Sequence, residues 1–171
     1  MGHMALDVQP MYKQFNGNKM KSVMFVCLGN ICRSPAGEWI LRQMAEKAKI
    51  PVKVQSSGLG NWHLGQLPDE RMRHAAASRG FHLTSRAQQF KPKYLDEYDY
   101  ILAADQEVLQ DLHKLAKTTE QKSKIHLMTT FSKTFQNQEV PDPYYEGMQA
   151  FELVLDMLED SCQGLLKEIK K

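Results

Sequence analysis

A chain of 171 residues, 42% hydrophobic and 25% charged, suits one globular domain with a sizeable core. A formal net charge of +2 gives no reason to expect a nucleic acid or a membrane surface as partner. Three cysteines do not make a disulfide framework at this length, so a reducing compartment, the cytoplasm, is the expected setting.

Met1–Met4 reads as a cloning remnant, and the mixed polar stretch after it as a flexible extension without periodicity. The expected division is an N-terminal tail at 1–20 and a single domain at 21–171. No transmembrane run or signal peptide is visible.

Ser22–Val26 is a short apolar run that predicts a buried strand. Ser34 then suits an N-cap and Pro35 the first helical position. Ile40, Leu41, Met44 and Ala48 follow at helical spacing as far as Pro51. Val52–Ser56 predicts a second strand, with a Gly- and Asn-rich loop from Gly58 to Gln66 behind it. Pro68-Asp69 opens a helix with Met72, Ala75 and Ala76 inward and Gly80 as its stop. Tyr98–Ala103 predicts a third strand, Asp105 the cap of a helix bearing Val108, Leu109, Leu112 and Leu115, and Lys124–Met128 a fourth strand. A last helix places Met148, Phe151, Leu155, Leu158, Cys162, Leu165 and Ile169 on one stripe. Strands alternating with helices predict an α/β fold, a single-domain Rossmann-like sandwich with a four-stranded parallel sheet and helices on both faces. Ligands in such folds sit at the carboxyl ends of the strands.

The most informative segment lies at that place. In Val26-Cys27-Leu28-Gly29-Asn30-Ile31-Cys32-Arg33-Ser34-Pro35, five residues separate a cysteine from an arginine, between a strand and a helix start. A loop feeding a helix N-terminus binds dianions through backbone N–H groups and the helix dipole. The same positive field favours the thiolate, the nucleophilic form of Cys27. Arg33 adds a planar fork matched to two phosphoryl oxygens. The parts together predict a phosphate cradle with a sulfur nucleophile at its base.

This loop, with Asp142-Pro143-Tyr144-Tyr145 more than a hundred residues later, closely resembles the low-molecular-weight protein tyrosine phosphatases. Ser57-Gly58, Trp62 and Tyr98-Asp99-Tyr100-Ile101-Leu102 with Asp105 fall in family-like order, and the resemblance runs from about Lys21 to the C-terminus. It implies a protein-tyrosine-phosphatase without metal or cofactor, acting on phosphotyrosine in proteins and on small aryl phosphates through a cysteinyl-phosphate. Cys27 would be the nucleophile, Arg33 would stabilise the transferring group, and Asp142 would be the general acid and base. Leu28, Gly29, Asn30, Ile31, Cys32, Arg33 and Ser34 would form the phosphate-binding loop. In it Gly29 permits close approach, Asn30 tolerates left-handed backbone, and the Ser34 hydroxyl donates to the Cys27 sulfur. Leu28, Trp62, His63, Tyr144 and Tyr145 would line or rim a slot for a phenyl phosphate. The tandem tyrosines would themselves be targets of a cognate tyrosine kinase. The expected assembly is a monomer.

Cys32 lacks companions for a metal pair, and a reversible Cys27–Cys32 disulfide is the expected protection of a reactive thiolate. Cys162 belongs to the core. Two positions depart from the family pattern. Ser85 stands where relatives often carry a histidine, which puts in doubt its link to the acids near the loop, here Glu38 and Asp105. His63 stands where many have a small polar residue, so rim preference should differ. Three rivals remain. An arsenate reductase on this fold needs a further mobile cysteine, and only Cys162 is left. A protein arginine phosphatase carries Thr where Ile31 stands and lacks the tandem tyrosines. A catalytically dead phosphotyrosine-binding module would have lost Cys27, Arg33 or Asp142.

Overall fold

The computed structural model describes residues 20–171, so the tail expected at 1–20 lies, all but its last residue, outside the described residues. The elements run β1 (Lys21–Cys27), α1 (Arg33–Ala48), β2 (Val52–Gly58), α2 (Glu70–Ala77), α3 (Tyr94–Glu97), β3 (Tyr100–Ala103), α4 (Gln106–Leu115), α5 (Thr119–Ser123), β4 (Ile125–Leu127) and α6 (Met148–Lys170). The four strands form one parallel sheet in the order β2-β1-β3-β4.

β1 is buried on both faces, as a central parallel strand must be. Its side chains alternate. Val23, Phe25 and Cys27 face a core shared with α1, α2 and α6, while Met24 and Val26 face one built from Tyr94, Leu95, Val108 and Leu112. Helices therefore cover both faces. No helix among the described residues is long and apolar enough to cross a membrane.

The chain leaves β1 towards β2 on one side and later returns to β3 on the other. That reversal opens a crevice at the carboxyl ends of β1 and β3, the place where ligands bind in open α/β sheets. Cys27 ends β1, and Asp105 follows β3 at the N-cap of α4, where its Oδ1 accepts from Val108 N at 2.9 Å.

Several local expectations are corrected. α1 begins at Arg33 with Cys32 at the N-cap position, so Ser34 is not the cap; its hydroxyl is turned to the Cys27 sulfur instead. Pro35 falls third in the helix, where its missing N–H still has no intrahelical acceptor to lose. Ala48 is exposed and Ala45 takes the inner position. Leu115 and Met148, at helix ends, are 39% and 42% exposed. α2 stops at Ala77, and Gly80 makes the left-handed turn (φ 88°) three residues on. β3 starts two residues late because Tyr94–Glu97 is helical.

Candidate active site

The loop between β1 and α1 is a tight arc held from beneath. Asn30 has φ 58°, the left-handed region that Asn tolerates better than most residues. Its side chain fixes that turn: Nδ2 donates to Ser34 Oγ (2.7 Å) and Ser56 Oγ (3.0 Å), and Oδ1 accepts from Gln88 N (2.9 Å). Cys27 Sγ lies 2.9 Å from Ser34 Oγ and accepts from Ser34 N at 3.4 Å. No acidic residue occupies the first turn of α1 and no side chain caps it. Among the described residues, no chain acceptor takes the N–H groups of Gly29, Asn30, Ile31 or Cys32. Unclaimed donors at a helix N-terminus suit a phosphoryl dianion.

Arg33 is 3% exposed. Its Nη1 donates to Asp105 Oδ2 (2.6 Å) and to the Val140 carbonyl (3.0 Å), and Nη2 is 3.8 Å from Asp142 Oδ2. Burial disfavours the guanidinium charge, but Cys27 and the Asp105 hydrogen bond outweigh it and raise the pKa above its ordinary value. One arm of the fork is thus anchored to the N-cap of α4 and the strap before Asp142. Burial, then the charges of Asp69, Cys27 and Asp142, push the Cys32 thiol far up. That shift favours the neutral thiol at Cys32, which is free and lines the same cavity as the sulfur it was expected to bridge.

Asp142 is half-exposed at the mouth, and its Oδ1 accepts from Tyr144 N at 3.1 Å, an Asx turn that sets the loop. The Tyr144 and Tyr145 rings meet edge-on at 4.9 Å. Arg71 holds this loop to α2: its Nη2 donates to the Tyr144 carbonyl (2.8 Å), and its guanidinium lies over the rings of Tyr144 and Phe151. Asp69 pairs with Arg71 at 2.9 Å, and Asp69 N donates to the Ile31 carbonyl at 2.7 Å. The acid loop and the anion loop are thereby tied through one short segment.

A cavity of about 340 Å³ opens above Cys27. Its lining is Cys27, Leu28, Gly29, Ile31, Cys32, Arg33, Trp62, His63, Asp142, Tyr144 and Tyr145. Every residue expected at the site is in that wall except Asn30 and Ser34, which lie behind the loop and shape it. Trp62 and Tyr145, 64% and 90% exposed, form an apolar rim. The His63 ring stands against Gly29, and its Nδ1 is 3.1 Å from Gln66 Oε1.

Ser85, at the departing position, accepts from Trp39 Nε1 at 3.1 Å, and its hydroxyl favours the ionised form of Glu38. Glu38 is 1% exposed; burial raises its pKa, with Ser56, Arg42 and Ser85 pulling the other way. Sequence reasoning missed Ser56 and Arg71, and gave Gly58 a place in the family pattern but no role. Gly58 carried a signal, since a glycine ending a strand marks close backbone approach. Asp69-x-Arg71 at a helix start had none that singles it out.

The family model described as low molecular weight phosphotyrosine protein phosphatase matches residues 22–171. The low molecular weight protein-tyrosine-phosphatase YfkJ of Bacillus subtilis is 38% identical over 157 residues, covering 89% of this chain and 97% of that one. Among solved structures, a protein tyrosine phosphatase from Entamoeba histolytica with Hepes in its active site superposes with a TM-score of 0.84. It is 36% identical over 88% of this chain and 97% of its own. A Drosophila arginine phosphatase superposes with a TM-score of 0.82 at 29% identity, over 89% of this chain and 99% of its own.

Proposed function

This chain belongs to the low molecular weight phosphotyrosine protein phosphatase family, and we propose that it hydrolyses protein phosphotyrosine and small aryl phosphates through a cysteinyl-phosphate. The observation that carries this is the meeting of Cys27, Arg33 and Asp142 on one cavity with aromatic side walls. The phosphoryl group sits on the N–H groups of 29–32 with Arg33 Nη2 turned to its equatorial oxygens. Cys27 Sγ attacks phosphorus and the P–O bond to the phenol breaks. Asp142 gives its proton to the departing oxygen, so a neutral phenol leaves. Asp142, now ionised, takes a proton from a water that attacks the phosphocysteine; the P–S bond breaks and inorganic phosphate remains. The Ser34 hydroxyl, hydrogen-bonded to the sulfur, stabilises it as a leaving thiolate.

Leu28, Trp62, Tyr144 and Tyr145 give the slot apolar walls, and the reactive sulfur lies at the bottom, 3% exposed at its residue. A phenyl stem reaches that depth and a serine methylene does not. The substrate is a phosphotyrosine-bearing protein. The likeness to an arginine phosphatase supports phosphoarginine as a second substrate class, since its long stem also reaches the floor. Ile31 and the paired tyrosines favour the aromatic ester.

The test is para-nitrophenyl phosphate hydrolysis between pH 5 and 8 with EDTA present, in wild type, Cys27→Ser and Asp142→Ala. Abolition by the first change and a loss of about 10²–10⁴-fold in turnover by the second are expected. Undiminished Cys27→Ser activity overturns the mechanism. A higher kcat/KM on phosphoarginine than on phosphotyrosine peptides moves the chain to the other substrate.

A further inference from the structure

A second cavity, of about 730 Å³, lies at the end of the sheet opposite Cys27. α1 runs to it from the anion loop and α6 from the acid loop, and the stretch after α2 closes its third side. The path along α6 from Met148 to Leu166 is roughly 27 Å at about 1.5 Å per residue, and the two cavities share no lining residue. The floor is Met44, Ile50, Phe81 and Leu166. The charged lining is Lys47, Arg79, Lys167 and Lys170, without a carboxylate. In a chain of 22 basic and 20 acidic residues, that is a biased set around one apolar floor. We infer that this groove docks an acidic segment of a partner protein, which inserts a bulky apolar side chain between the lysines. The inference goes beyond the phosphatase reading and does not depend on it.

The walls are set before anything binds. Arg79 is committed to α6, where its guanidinium pairs with Glu152, Asp156 and Glu159 at 2.7, 2.9 and 2.6 Å. Gln43 holds the same stretch to α1: its Nε2 donates to the Gly80 carbonyl (2.9 Å), and its Oε1 accepts from His82 N (3.1 Å). The left-handed Gly80 lets Phe81 turn back to the core, its N–H donating to the Ala76 carbonyl at 2.9 Å. A preformed groove loses little free energy to ordering when it is filled.

Lys47, Lys167 and Lys170 are left over. All three are exposed, and no ion pair among the described residues involves them. Their places in the last turns of α1 and α6 suit the helix dipoles, but a dipole gives no reason for an open apolar floor between them. Ile50, Phe81 and Leu166 are 8%, 9% and 8% exposed, so the floor is recessed. A lipid surface takes apolar side chains that protrude, whereas a recessed floor takes a side chain that enters. That favours a peptide over a bilayer. The acids that hold Arg79 lie N-terminal to Leu166 on α6, so the groove is basic only towards the end of that helix. The partner's carboxylates therefore belong over Lys47, Lys167 and Lys170.

The probe is the peptide acetyl-Glu-Glu-Leu-Phe-Glu-Glu-amide, titrated into the isotope-labelled full chain while backbone amide shifts are followed by NMR. Saturable shifts are expected at Met44, Lys47, Gly80 and Leu166, with a Kd of about 0.1–1 mM for one or two inserted side chains. Changing the peptide's glutamates to glutamine should weaken binding about tenfold at low salt, and the gap should narrow as salt is raised. Lys47→Glu combined with Lys167→Glu should lose the acidic peptide by about tenfold and gain acetyl-Lys-Lys-Leu-Phe-Lys-Lys-amide, a reversal that a role in folding alone does not produce. Hydrolysis of para-nitrophenyl phosphate by that variant should stay within twofold of wild type, which reports an intact fold. If the variant does not fold, the acidic and neutral peptides compared on wild type decide the matter. Absence of saturable shifts at the groove by about 5 mM peptide overturns the inference, and so does equal affinity for the acidic and neutral peptides. Shifts confined to Gly29–Arg33 also overturn it, since they mark a carboxylate in the phosphate cradle. Sedimentation with phosphatidylserine vesicles in the absence of groove shifts overturns it in favour of a membrane surface. Wild-type hydrolysis surviving Cys27→Ser would instead remove the catalytic mechanism, a result on which these shifts do not depend.

Discussion

Gly58 should be hard to replace although it lies outside the cavity wall, because it packs directly under the anion loop. It pairs in register with Cys27, and Leu59 N and Gly60 N donate to the Cys27 and Leu28 carbonyls at 3.0 and 2.9 Å. A Cβ on Gly58 would lie 2.9 Å from Asn30 N, Gly29 C and Leu28 O, all backbone atoms of the anion loop. Ordinary contact begins at 3.4 Å, so the loop must withdraw by about half an ångström. Gly58 itself has no room to retreat, because its N–H and carbonyl are tied to Gln88 O and Phe90 N at 2.9 and 2.7 Å.

Such overpacking against rigid backbone costs about 1–3 kcal/mol. In a chain of this length that lowers Tm by roughly 2–12 °C. The functional cost is larger in proportion, since a misplacement of about 1 Å at a reacting group costs roughly a hundredfold. Half that shift, applied to the N–H groups of Gly29 and Asn30, should lower kcat/KM for para-nitrophenyl phosphate about tenfold. It should weaken inhibition by orthovanadate, a phosphate analogue that becomes trigonal-bipyramidal when a thiolate adds to it, by a similar factor. Gly147→Ala is the control: nothing lies within 4 Å of its added Cβ, and a change within about 0.5 kcal/mol is expected. A Gly58→Ala enzyme with kcat/KM and vanadate affinity within twofold of wild type would refute this account of the cradle.

Arg71→Ala removes the tie between Tyr144 and α2, so Asp142 is held less well while Cys27 and Arg33 are untouched. Hydrolysis of phenyl phosphate, whose leaving group needs a proton, should fall about tenfold, and that of para-nitrophenyl phosphate by less; equal losses on both esters would contradict the acid-loop role. His126 packs against Tyr100 and Phe131, and burial, then the charge of His113, lowers its pKa below the ordinary histidine value. The native state therefore binds fewer protons here than the unfolded chain, and stability rises with pH across that interval. Denaturant melts should show stability complete above pH 6.5, the histidine's ordinary value, and declining as pH falls below it. His126→Phe should flatten that decline, and an unchanged slope would exclude the histidine as its source.

What was legible in the sequence follows from how far apart the partners lie. β1 reads directly, because a strand buried on both faces must be an unbroken apolar run. Cys27 and Arg33 also read directly, because strand, loop and helix start are contiguous and the loop's chemistry is local. Asp142 reads only through the family resemblance, since nothing in Asp-Pro-Tyr-Tyr says which distant loop it will face. α3 and α5 were missed because four and five residues are too short to show a helical period.

Ser34 was legible in one of its two readings: its hydroxyl meets the Cys27 sulfur, while the N-cap position falls to Cys32. A serine at a helix start has two competing uses, and only the position of the Cys27 sulfur decides between an orphan N–H and a thiolate. Glu38 is the sharper case of the same kind. On α1 it lies among Ala36, Ile40 and Leu41, where period alone would place an apolar side chain. The pattern is broken by the residue type that folding disfavours most in a core. Its partners, Ser56 on β2 and Ser85 in the loop after α2, come from segments with no sequence signal for that role. Local rules therefore fail where a buried charge is satisfied by distant segments, and that is also where a structural cost is tolerated for the chemistry beside it.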